Sequence, residues 1–268
     1  MRYSVTAGGK RLRPILCLAS AEAVGGNRAQ AMPAACALEF IHTYSLIHDD
    51  LPAMDNDTMR RGRATLHVVA GEGMAILAGD GLLTEAFGLL AREPETTDQV
   101  IAARKLRVIR VVAAAAGAAG MVGGQAVDLA ASRPAQPGVA ALDAESLRAM
   151  HAKKTGALIR AAASAGAIMG GADDTVIRRV DAAAGEFGLA FQIIDDVLDV
   201  EGAASTLGKT PGKDAAAGKA TYPALYGIDG ARRMADACVD RALALLAEAG
   251  IGDSPLARIG RWIVSRSH

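Results

Sequence analysis

The stretch FQIIDDVLDV, residues 191–200, carries two patterns at once. Phe187, Ala190, Phe191, Ile194 and Val197 or Leu198 recur at three and four positions, the period of an amphipathic helix, and leave Gln192, Asp195, Asp196 and Asp199 on another face. Asp195 and Asp199 are one turn apart and point the same way. Carboxylates stacked at that spacing repel one another unless a cation joins them. Oxygen-only donors select a hard ion such as Mg²⁺, which keeps waters and takes up substrate phosphates. A second acidic stretch, HDDLPAMDND at 48–57, also closes an apolar helical pattern. On an unbroken helix Asp49 and Asp55 would sit about 120° apart. Pro52 cannot continue a regular helix, so the chain is expected to leave it near Leu51 and loop, letting Asp55 swing toward Asp49. One such cluster reads equally well as a solvated helix end; two, both in apolar settings, favour metal.

The same period runs through most of the chain, with glycine and proline as punctuation. It predicts helices over 12–24, 29–51, 65–91, 98–121, 143–169, 173–200, 221–248 and 254–266, and no strand. Asp143, Asp173 and Ser254 have the character of N-caps. Hydrophobic residues make up 51% but aromatics only 3%, and the alanine and leucine surplus favours closely packed helices in a single all-α domain, residues 1–268. Twenty-nine basic and 29 acidic residues balance, so no global field recommends nucleic acid as a partner. The apolar stretches 111–124 and 161–171 fall short of the ~20 residues a membrane span needs and are read as buried helices. Cys17, Cys36 and Cys238 lack CxxC spacing, which fits a reducing cytoplasm rather than a disulfide framework.

Basic residues gather where anions would be needed. GGKRLRP (8–14) crowds Lys10, Arg11 and Arg13 behind two glycines that permit close approach, and Arg60 and Arg61 follow the first acidic stretch. HAKKTGALIR (151–160) puts Lys153, Lys154 and Thr155 into an alanine-rich helix, where a lysine is costly without an anionic partner. Arg11 and Lys153 are read as ordinary surface charges; Lys10, Arg13, Arg61 and Lys154 as ligand contacts. Gly208-Lys209-Thr210 imitates the end of a nucleotide-binding P-loop, but the glycine spacing is wrong and the segment leaves a helix, so Lys209, Lys213 and Lys219 read better as a basic flap over phosphates.

GGKRLRP, HTYSLIHDDLPAMDNDTMRRG, ILAGDGLLTEAF, MVGGQAVDL, KTGALI, FGLAFQIIDDVLDVEG and LGKTPGKDAAAGKATYP follow one another from Gly8 to about Tyr226. In that order they resemble the trans-isoprenyl diphosphate synthase family, and within it the bacterial farnesyl diphosphate synthases. The resemblance implies a helical bundle around a central apolar cavity, with the two aspartate motifs facing each other across it. It implies three Mg²⁺ ions, two held by Asp49 and Asp55 with Asp50 nearby and one by Asp195 with Asp199. Lys10, Arg13, His42 and Arg61 would receive isopentenyl diphosphate. Arg60, Lys154, Thr155, Gln192, Lys209 and Lys219 would contact the allylic diphosphate, with Lys154, Asp49 and Asp195 at the catalytic centre. A homodimer without a membrane span is implied as well. Read from the residues alone, His42 is more often a structural histidine.

Tyr44 lies five residues before Asp49, about 7.5 Å further along a helix, so its ring should floor the cavity and limit product length. Together with the two extra residues inside DDLPAMD, Tyr44 resembles the pattern of bacterial farnesyl diphosphate synthases, and that resemblance implies a fifteen-carbon product. Ser45 beside it is small, and geranylgeranyl diphosphate is the alternative. A silent regulatory subunit of a prenyltransferase heteromer would be expected to degrade one aspartate motif, and a terpene cyclase would not need GGKRLRP. Two departures from the family stand out: its members usually carry a further helix before GGKRLRP, and Ala64 occupies a position where they have proline.

Overall fold

Alanine sets the centre of the fold. The computed structural model describes residues 1–131, 143–204 and 221–266. At its middle lies α9 (Ala157–Gly170), buried on nearly every side from Leu158 to Met169, with Arg160 reaching outward. Around it pack α2 (Leu12–Ala23), α3 (Arg28–Asp49), α6 (Gln99–Ala116) and α10 (Asp174–Ala204). Five of the buried α9 positions are Ala161, Ala162, Ala163, Ala165 and Ala167, and side chains this short let four neighbours approach one axis. The stretch 161–171 is therefore the buried helix its composition suggested as far as Met169, with Gly171 exposed as its left-handed C-cap.

The remaining elements form a shell. A short α1 (Arg2–Val5) lies on α3; α4 (Leu66–Ala70) leads into α5 (Glu72–Arg92), which packs along α3. Then come α7 (Met121–Ala131), α8 (Ala144–His151), a π-turn (Ala152–Gly156) running directly into α9, α11 (Tyr222–Glu248) along α10, and α12 (Pro255–Ser265). The caps read from sequence are present: Asp143 accepts from Ser146 N–H, Asp173 from Thr175 N–H, and Ser254 from Ala257 N–H ahead of Pro255.

Four expected helices are interrupted. The run expected over 65–91 breaks at Gly71, whose φ of +85° no continuing helix can hold. The run over 98–121 ends at Ala116, and 111–124 is neither one helix nor fully buried, since Ala113, Ala114 and Val122 are exposed. The run over 143–169 contains the π-turn, and α11 kinks at Gly227. A two-strand hairpin, β1 (Met59–Arg60) with β2 (Arg63–Ala64), is present where no strand was expected; two-residue strands leave no alternation to read.

Glu72–Arg92 and Gln99–Ala131 are long and apolar enough, by length and composition, to cross a membrane. Both carry charge in mid-run, Asp80 and Glu85 in the first and Arg104, Lys105, Arg107 and Arg110 in the second. They do not indicate a span.

Candidate active site

α3 ends at Asp49 and the chain loops, as Pro52 dictates. The Asp55 N–H donates to the Asp49 carbonyl at 2.9 Å and the Asp57 N–H to the Asp50 carbonyl at 3.1 Å, so the loop folds back on the helix end and gathers the carboxylates. Burial pushes the Asp49 carboxyl up to about 6; Asp55 and Asp50 push the same way, while Lys154 and Arg60 pull it down. Asp50 is buried and also raised by burial, against Arg60, whose Nε donates to it at 2.6 Å. Arg60 reaches Asp57 at 3.7 Å as well.

Opposite these carboxylates lies a basic pocket. His42, on α3 two turns before Asp49, is held well below its usual pKa by burial and by Arg13, Arg61, Arg60 and Arg11, so it is neutral. Burial lowers Arg13 to about 10, with Arg61 opposing its charge and Glu39 and Asp195 supporting it. Its buried Nε has no hydrogen-bond partner. That one unsatisfied donor, on a guanidinium near Arg61, leaves room for an acceptor beyond the pairs that Arg11 makes with Glu39 and Arg60 with Asp50.

The second acidic segment stays within α10. Asp195 pairs with Arg266 at 2.7 Å and with Lys10 at 3.9 Å. The Arg266 side chain is 1% exposed; it donates to the Phe191 carbonyl at 2.8 Å and lies 4.1 Å from the centre of the Phe191 ring. Asp199 sits one turn beyond Asp195 on the same helix. Asp196 belongs elsewhere. It is buried and accepts from Gln192 Nε2 at 3.0 Å and from the Tyr222 N–H at 3.1 Å, which locks α10 to the start of α11.

The π-turn joins the two walls. One extra residue per turn brings consecutive side chains to different neighbours, and such turns recur at functional sites. Lys154 acts on Asp49 and pairs with Asp128 at 2.5 Å, while the Thr155 hydroxyl donates to Gln192 Oε1 at 3.3 Å. Gly124 makes the first contact possible, because a Cβ there would overlap the Lys154 backbone. Asp195 acting on Arg13, Arg61 opposing Arg13, and Arg60 acting on Asp49 link the two acidic segments electrostatically through these arginines.

Tyr44 is buried on α3, edge-on to His48 at 5.7 Å, and burial with Asp49 raises its hydroxyl pKa. The Ser45 hydroxyl donates back to the His42 carbonyl at 2.9 Å. Lys209, Lys213 and Lys219 lie outside the described residues. Arg11 is no ordinary surface charge: it pairs with buried Glu39 and donates to the Val5 carbonyl at 2.5 Å, clamping α1 to α3. Asp128 and Arg266 were not singled out from sequence. Asp128 stands in MVGGQAVDL and answers the need of Lys154 for an anionic partner; Arg266 had no local signal, because its partner is 71 positions away.

The model for the polyprenyl synthetase family matches residues 1–246. A farnesyl diphosphate synthase of Geobacillus stearothermophilus is 46% identical over all 268 residues, which cover 88% of that protein. A geranylgeranyl diphosphate synthase of Cyanophora paradoxa is 46% identical over the same span, 87% of its length. Among solved structures, an FPP/GFPP synthase from Zymomonas mobilis superposes with a TM-score of 0.84 at 40% identity, over 98% of this chain and 86% of that one. The chain belongs to the polyprenyl synthetase family. Within that family of prenyltransferases it is a short-chain trans-prenyl diphosphate synthase.

Proposed function

We propose that this synthase condenses isopentenyl diphosphate with dimethylallyl and geranyl diphosphate, and that its product is (2E,6E)-farnesyl diphosphate. The observation that carries the reading is neutral His42, acted on by four arginines, two turns from the half-buried Asp49 carboxyl. One diphosphate fits the arginine pocket, where it would satisfy the Arg13 Nε. The other fits between the acidic segments, beside Lys154.

Among the described residues no three carboxylate, imidazole or thiol groups converge to hold a metal by themselves. The donors nonetheless suit Mg²⁺. They are oxygen-only, and burial raises the Asp49 carboxyl to about 6 although Lys154 and Arg60 pull it down, so a divalent ion completed by substrate phosphates and water would favour its charged form further. Asp49, Asp50 and Asp55 would hold it on one side and Asp195 and Asp199 on the other. Held there, a divalent ion would supply positive charge against that developing on the departing diphosphate.

Lys154, anchored by Asp128, aims a fixed positive charge at the same place without reorganising. As the allylic carbon–oxygen bond ionises beside Arg60, Lys10, Arg13 and Arg61 hold the other substrate so that its double bond meets the cation. The released diphosphate is the base for the final proton. Neutral His42 can donate a hydrogen bond to a phosphate oxygen without adding charge. Lys209 and Lys219, outside the described residues, would contact the allylic diphosphate.

Tyr44, one turn and a residue below Asp49, is assigned as the floor of the chain cavity, with Ser45 beside it. The assay is labelled isopentenyl diphosphate with dimethylallyl, geranyl or farnesyl diphosphate, with and without Mg²⁺, followed by product sizing. A fifteen-carbon, Mg²⁺-dependent product is expected. A twenty-carbon product would establish the geranylgeranyl alternative, and a folded sample giving none would sink the enzyme reading. Tyr44→Ala should lengthen the product by at least one five-carbon unit; an unchanged chain-length profile contradicts the floor assignment.

A homodimer is the assembly these surfaces favour. On α5, Met74, Leu77 and Thr84 lie exposed at helical spacing, and Ala103, Leu106 and Ala113 do the same on α6. A second copy would cover these apolar faces, which sedimentation can check.

A further inference from the structure

We propose that Tyr3 is a positioning residue for isopentenyl diphosphate, holding in place the hairpin that carries Arg60 and Arg61. The inference rests on the reading of those arginines as diphosphate contacts. The hairpin cannot hold its own shape: each strand has two residues, and an isolated pair of strands is marginal even when longer. Its two turn residues, Arg61 and Gly62, have φ of +53° and +72°, the left-handed pair that a tight antiparallel turn demands. Arg61 lacks the freedom of glycine there, so its conformation must be imposed by contacts.

Those contacts come from the N-terminal segment. The Tyr3 hydroxyl donates to the Ala64 carbonyl at 2.7 Å, at the open end of the hairpin, and the Arg63 guanidinium lies 4.7 Å from the centre of the Tyr3 ring. One side chain thus grips both residues of β2, whose partners across the ladder are Met59 and Arg60. At the turn, Arg61 donates to the Gly8 carbonyl and covers the face of Gly9, where a Cβ would collide with the guanidinium. The close approach that Gly8-Gly9 permits is therefore made by Arg61. Arg11 fastens α1 by binding the Val5 carbonyl and Glu39, so Tyr3 is mounted on a fixed base. The hydrogen bond and the ring contact of Tyr3 both go to β2, so its influence on substrate runs through the two arginines.

The test is steady-state kinetics of the full chain with geranyl diphosphate saturating and isopentenyl diphosphate varied. Tyr3→Phe removes the hydrogen bond and keeps the ring over Arg63, and should raise KM for isopentenyl diphosphate about threefold to tenfold. Tyr3→Leu removes both and should raise it further, by about tenfold or more. In both, kcat should stay within about twofold, because binding and not the chemical step is affected. A purely structural role would instead lower the amount of folded enzyme with KM unchanged. Arg61→Met is the control. If it raises KM while Tyr3→Phe leaves KM unchanged, the positioning proposal is overturned and the arginine reading stands. If Arg61→Met also leaves KM unchanged, the arginine reading itself fails and the proposal falls with it.

Discussion

The first acidic segment ends a helix and doubles back as a loop, whereas the second lies within a continuous helix. Their electrostatics differ accordingly. Asp49 is half-buried beside like charges, and that burial raises its carboxyl to about 6, with Lys154 and Arg60 compensating only in part. Asp195 is 39% exposed and already carries two cations, Lys10 and the nearly inaccessible Arg266. One wall is strained by charge and the other is neutralised by the protein. The difference teaches that spacing identifies candidate metal ligands, while the surroundings decide which of them the fold holds at a cost.

The sharpest way to break this comparison is to remove each carboxylate in turn. Asp49→Asn should lower turnover about 10³-fold and Asp195→Asn about 10²-fold, measured as condensation rate at saturating substrates. Stability should move in opposite directions. At pH 7 the ionised Asp49 carries a folding penalty of up to ~3 kcal/mol, from a pKa of about 6 against 3.8, so Asp49→Asn should raise the melting temperature. Asp195→Asn strips Arg266 of its counter-charge and should lower stability by about 1–2 kcal/mol, and the melting temperature with it. Melting curves of both variants without metal check the signs, and two shifts in the same direction would remove the distinction between the walls.

Next in size is the support of Lys154. Asp128→Ala leaves a half-buried ammonium without its partner and should cost about 2 kcal/mol in denaturant unfolding, with a parallel loss of turnover. Loss of stability at full turnover would show that Lys154 does not need to be held. The pH dependence is smaller and has a definite sign. His42 has a folded pKa below its unfolded 6.5, so the unfolded chain takes up a proton that the folded chain refuses. Its contribution is present above about pH 6.5 and is lost as pH falls toward the folded value. Asp49, with its raised pKa, works the other way, costing stability as pH rises from about 4 to 6. His42→Gln should therefore flatten the acid limb between about pH 6.5 and 5, followed by equilibrium unfolding across that range. The smallest effect concerns Lys10. Its contact with Asp195 is long and both groups are more than one-third exposed, so Lys10→Met should change stability by less than ~0.5 kcal/mol. KM for isopentenyl diphosphate should still rise.

Legibility followed the range of the interactions. The helical stripe around FQIIDDVLDV, the caps at Asp143, Asp173 and Ser254, and the break at Pro52 are local, and the structure agrees with each. Gly71 and Gly117 were passed over because the apolar period continues across them, and period alone does not register a positive φ or an unsatisfied helix end. The π-turn had no sequence mark beyond two lysines in an alanine-rich run. Partnerships between distant segments were least visible: Arg11 with Glu39, Lys154 with Asp128, and Arg266 with Asp195 are each made by tertiary packing. The separation of Asp196 from its neighbours shows the same limit, since the Tyr222 N–H that holds it lies 26 residues away.

The central claim is that both acidic segments act together, through divalent cations, on a single diphosphate. Calorimetric titration of inorganic pyrophosphate into the wild type, Asp49→Asn, Asp195→Asn and the double variant, with and without Mg²⁺, tests it directly. The account predicts binding that requires Mg²⁺ and a double variant no weaker than the poorer single one, the signature of groups sharing one ligand. Pyrophosphate binding that is indifferent to Mg²⁺, or losses that simply add, would contradict it.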